Sequence, residues 1–156
     1  MKPVRGNTPM AMHVSTITPE RKAPWHLWLV AVVALLWNGS GAYTIMMAQA
    51  GRLSNLEADE AAYYAAQPIW FVVATDVALV AAIAGAIALL VRSKTAVWLF
   101  ALSLGAIFVT NSYELSAATS RMLVSRGALI VTVLIAVIAI LELVYAWAMK
   151  GRGVLK

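Results

Sequence analysis

Residues 25–49 read WHLWLVAVVALLWNGSGAYTIMMAQ. A helix of about 20 apolar residues crosses a bilayer core of about 30 Å, and this run has that length and carries no Asp, Glu, Lys or Arg. Trp25 and Trp28 stand at its start beside Arg21 and Lys22, where an aromatic belt and a basic flank belong. A polar cluster, Asn38-Gly39-Ser40-Gly41, interrupts its middle. An amide without a partner at that depth is costly. The spacing therefore predicts that Asn38 bonds across to another span, with Gly41 and Ala42 packed closely against it.

Three more apolar runs follow, and the composition agrees with them. The chain is 62% hydrophobic and 12% charged, against about 25% charged in a soluble domain. Most charges fall between the runs. The four spans are expected at residues 25–48, 68–91, 95–116 and 128–149, forming one membrane domain over 25–149. Residues 1–24, with Pro3, Pro9, Pro19 and Pro24, read as a disordered tail. Residues 150–156 read as a basic tail. Between the first two spans, Ser54 followed by Glu57 fits a capping box, and Leu56, Tyr63 and Tyr64 share a helical face. A short helix lying on the membrane surface is expected there. The fold class is thus all-α, a four-helix integral membrane bundle with a short surface helix between spans 1 and 2.

The net charge of +5 points to basic span ends rather than to nucleic acid. Arg21, Lys22, Arg92, Lys94, Lys150, Arg152 and Lys156 fall on one side of the expected bundle; Arg52, Arg121 and Arg126 fall on the other. Seven against three places both termini in the cytoplasm. The chain has no cysteine, which excludes disulfides, thiolate metal sites and cysteine nucleophiles. His13 and His26 are its histidines. They read as a solvated tail residue and an interfacial one, since a metal site needs more convergent ligands. No phosphate-binding loop and no Ser-His-Asp arrangement is visible. Neither a metal nor a cofactor is expected, and the protein is not expected to be an enzyme. Its expected partners are the lipid bilayer and either another membrane protein or further copies of itself.

Ionisable residues inside spans are the natural functional candidates. At about 1.5 Å per residue, Asp76 lies ~12 Å below the outer end of its span, Asn38 ~15 Å, and Tyr43 and Asn111 each ~8 Å. Glu114 follows on the face of Asn111. Asn38, Tyr43, Asp76, Asn111 and Glu114 form the candidate polar cluster. It reads either as a hydrogen-bond network holding helices in register or as a ligand or proton pocket. Glu142 lies ~10 Å from the inner face. Arg92 is close enough in depth to snorkel toward it, giving a candidate inner charge pair that sets span 2 beside span 4. Tyr145 shares the face of Glu142.

The string Leu36-Trp37-Asn38-Gly39-Ser40-Gly41-Ala42-Tyr43, followed by Met46-Met47-Ala48-Gln49, resembles the first span of a family of small bacterial inner-membrane proteins with a W-N-x-x-G-x-x-D-Y-x-M-T-Q pattern. Tyr64, Pro68, Trp70, Arg92, Lys94 and Ala96 also resemble that family, so the likeness covers most of residues 25–113. The chain departs from it at Thr44, where the family tends to carry an acid near the Tyr. The resemblance implies a multi-pass protein of the bacterial inner membrane. The family is uncharacterised, so no activity follows from it. Its members are sometimes labelled sugar-transporter-like, and no residue here supports that label. The expected role is structural or partner-binding; the alternative is a transporter-like protein with a small polar site around Asp76.

Overall fold

Proline opens two of the helices, and a left-handed residue closes three of them. Pro24 and Pro68 sit at the N-caps with extended backbones, a position where the missing N–H costs no helical bond. Gly51 and Gly153 follow two of the C-caps at φ 65° and 68°. There the Arg52 amide bonds back to Met47 and the Val154 amide to Met149, in the Schellman arrangement. The same 6→1 bond, from the Ser93 amide to Ala88, closes a helix at Arg92. Arg92 has φ 61° without being glycine.

The computed structural model describes residues 22–53, 62, 64–121 and 126–156. Its helices are α1 (Trp25–Gln49), α2 (Ile69–Leu90), α3 (Thr95–Arg121) and α4 (Arg126–Gly151). All four are long and apolar enough to span a membrane, and no strand occurs among the described residues. The fold is an all-α bundle of four candidate spans. The expected surface helix and the expected disordered tail fall largely outside the described residues, though Ala62, Tyr64 and Ala65 are helical. α3 and α4 are longer than the expected spans 95–116 and 128–149: the backbone stays helical through the polar stretch to Arg121 and resumes at Arg126. A helix needs apolar side chains only within the bilayer.

α2 packs against α1 on one side and most extensively against α3 on the other, and α3 packs against α4. Side-chain bonds between α1 and α4 close the ring. Lys22, the α2–α3 turn and the end of α4 share one end of the bundle, here the near end. The connected core lies toward it: Leu27, Ala31 and Ala34 from α1, Ala86 and Leu89 from α2, Ala96 and Phe100 from α3, Ala146 and Met149 from α4. Phe100 is 1% exposed and its ring lies over Gly85, where an added Cβ would come within 2.9 Å of it. Small residues of this kind let helices approach closely in lipid. At the far end Trp70, Phe71 and Tyr113 join α2 to α3, with the Trp70 and Tyr113 ring centres 4.9 Å apart.

The closing segment is part of this core, although the sequence reads as a solvated basic tail. Val154 and Leu155 are buried within the core cluster. The Lys156 amide donates to the Arg92 carbonyl at 2.6 Å, the Lys94 amide to the Lys156 carbonyl at 2.9 Å, and Arg92 Nε to the Val154 carbonyl at 3.0 Å. These bonds hold Arg92 in a backbone conformation that costs an L-residue about 1–2 kcal/mol.

Candidate functional site

Leu27, Ala31, Ala34 and Asn38 are spaced by four, three and four residues, so they form one stripe along α1. The first three are buried, and Asn38 continues their line. On α4, Glu142, Tyr145, Ala146 and Met149 make the matching stripe. Where the two meet, Asn38 Nδ2 donates to Glu142 Oε1 at 2.8 Å and to its own Ala34 carbonyl at 2.9 Å. Glu142 is 8% exposed. Nearer the near end, the Tyr145 hydroxyl and His26 Nδ1 lie 2.6 Å apart, either one donating according to the imidazole tautomer. Their rings meet edge to face.

One expectation is corrected here, and the surroundings of His26 are added to it. Glu142 pairs with Asn38, not with Arg92. The left-handed backbone at Arg92 turns that side chain to the closing segment instead. His26, expected at the interface, lies in the first turn of α1, half-buried and bonded across the bundle to Tyr145. The amphipathic spacing of Tyr145 with Glu142 was the available signal.

The expected polar cluster does not assemble. Asn38 leaves it for Glu142. Tyr43, 64% exposed, lies five residues past Asn38, about 140° around the helix, and faces outward. Asp76 is exposed and has no hydrogen bond or ion pair among the described residues. Ala78, Ala82 and Ala86 mark the buried face of α2, and Asp76 sits about 160° from Ala78, on the opposite face. Asn111 and Glu114 are half-buried on α3, and their neighbour Thr110 bonds to the Ile107 carbonyl of its own helix at 3.0 Å. Gly41 is also corrected: nothing lies within 4 Å of a Cβ built there. It sits in the far half, where no neighbouring helix comes close to it.

An open groove of about 420 Å³ runs between α1 and α4, lined by Val30, Ala34, Trp37, Leu141, Glu142, Val144, Tyr145 and others. Its polar members are Glu142 and Tyr145, both already engaged by α1. Among the described residues no three His, Asp or Glu side chains converge as metal ligands would. The arrangement provides two half-buried cross-links between the first and last spans and one outward-facing acid on the second. The chain matches no family model, no curated protein and no solved structure.

Proposed function

We propose that this chain is a small, non-enzymatic protein of a bacterial inner membrane, with both ends of the chain in the cytoplasm, that acts by binding other membrane proteins. One observation carries the reading: the four polar side chains that bond between the first and last spans pair with one another. Asn38 holds Glu142 and His26 holds Tyr145, which braces helices and leaves no converging set for transport or chemistry. The transporter-like alternative would need Asp76, Asn38 and Asn111 to face one another, and they do not. The bacterial inner membrane is proposed on the first-span resemblance. The orientation is proposed on the basic side chains gathered at the near end, Lys22, Arg92, Lys94, Lys150, Arg152 and Lys156.

The experiment has two arms. The purified chain in proteoliposomes should give no solute- or proton-driven flux above empty vesicles. In native gels of its own membranes it should migrate as a complex larger than the purified chain. Flux by the chain alone overturns the reading. Orientation is tested with single cysteines, which the cysteine-free chain makes direct: Ser93→Cys should be shielded from an impermeant reagent in intact cells, and Ser120→Cys should react.

A further inference from the structure

Ile69, Val73, Asp76, Val80, Ile83 and Ile87 are spaced by four, three, four, three and four residues along α2. That spacing is a single seam along a helix. The seam lies opposite the buried alanines, and its members are exposed except for Ile83, which is half-buried. Every member but Asp76 suits lipid. Asp76 lies about 10 Å below the far end of α2, and an aspartate is too short to reach the interface from there. Intramembrane acids almost always face protein and pair with a cation or a strong donor. Among the described residues Asp76 has no partner.

We infer that this α2 face docks a transmembrane helix of another protein that carries a basic side chain at the same depth, an inference that rests on the partner-binding reading above. Charge complementarity selects the occupant. A second copy offers no cation at that depth among the described residues: Lys22, Arg92, Lys94, Lys150, Arg152 and Lys156 gather at the near end, Arg52 lies past the end of α1, and Arg121 and Arg126 stand at the far termini of α3 and α4. Valine and isoleucine flank Asp76 along the seam. A helix seated on it would therefore exclude water and lipid from the pair.

The test uses the full chain, fluorescently labelled through Ser93→Cys, in phosphatidylcholine vesicles with synthetic single-span peptides of leucine and alanine. One peptide carries a single arginine about 10 Å below one interface; its companion has leucine there. The arginine peptide should associate about ten-fold more tightly than the leucine peptide, read by energy transfer. Asp76→Asn and Asp76→Leu should each weaken that preference, the leucine variant abolishing it. Neither should lower the melting temperature of the isolated chain, since Asp76 makes no bond among the described residues. Equal association of the two peptides overturns the inference, as does a preference that survives Asp76→Leu. Energy transfer between differently labelled copies that Asp76→Leu abolishes also overturns it, since the occupant would then be a second copy. If only the α2 face is wrong, native membranes still hold the chain in a larger complex. Loss of that complex, or flux by the chain alone, removes the partner-binding reading itself.

Discussion

The α2–α3 pair and the α1–α4 pair are both antiparallel, and they are held by opposite means. Between α2 and α3, Gly85 receives the Phe100 ring, and Ala81, Ala82, Ala86 and Ala96 are buried. Cohesion there is dispersion between well-fitted surfaces. Between α1 and α4, Val30, Trp37, Leu141 and Val144 line a groove instead. Two side-chain hydrogen bonds span the gap. The comparison teaches how a bilayer shapes a small bundle. Lipid competes well for leucine and valine, so a helix pair must gain either close fit or polar bonds. This chain uses one device on each side of its ring.

The largest effect should come from the fitted side. Phe100→Ala is expected to cost about 3–5 kcal/mol in reversible unfolding from detergent micelles. Gly85→Ala should cost about 1–3 kcal/mol, because the Phe100 ring must move aside. A near-silent Gly85→Ala would mean that the fit is looser than the contact implies. On the polar side, a double-mutant cycle of Asn38→Leu and Glu142→Leu should give a coupling of about 0.6–2 kcal/mol, and a coupling of zero would dissolve the contrast. Tyr145→Phe should cost under about 1 kcal/mol, with nothing added when His26→Ala is already present. The smallest effect is expected at Gly41→Leu, within about 0.5 kcal/mol of wild type, since open space surrounds that position. A melting point that falls as far as that of Phe100→Ala would put a neighbour there after all.

These contrasts also mark what the sequence discloses. Span lengths and depths are legible, because hydrophobic run length maps directly onto bilayer thickness. Azimuth is legible too, and for Asp76 it points outward. The small-residue repeat at Ala74, Ala78, Ala82 and Ala86 already marks the packed face of α2, and a residue two positions before Ala78 cannot share it. Depth alone grouped Asp76 with Asn38. For Asn38 the inward placement follows from its register with Ala31 and Ala34. Its partner is less evident, since a depth of ~15 Å from one side and ~10 Å from the other for Glu142 leaves a gap that two side chains bridge. Arg92 was beyond sequence reasoning. Nothing in Val91-Arg92-Ser93 announces a left-handed backbone, and that backbone sends the guanidinium away from Glu142.

The docked closing segment has a consequence for biogenesis. Arg92 and Val154 are separated by 62 positions. At ~5–20 residues per second of synthesis, the α2–α3 hairpin waits roughly 3–12 s for the strand that braces its turn. During that interval the Arg92 carbonyl lacks the Lys156 amide, and its left-handed backbone stands without the support of Arg92 Nε on Val154. A product released before residue 153 keeps that end of the hairpin open permanently. Residues 154–156 therefore seal the α2–α3 turn only after α3 and α4 have been made, and a chain cut short of them would leave that turn unsealed.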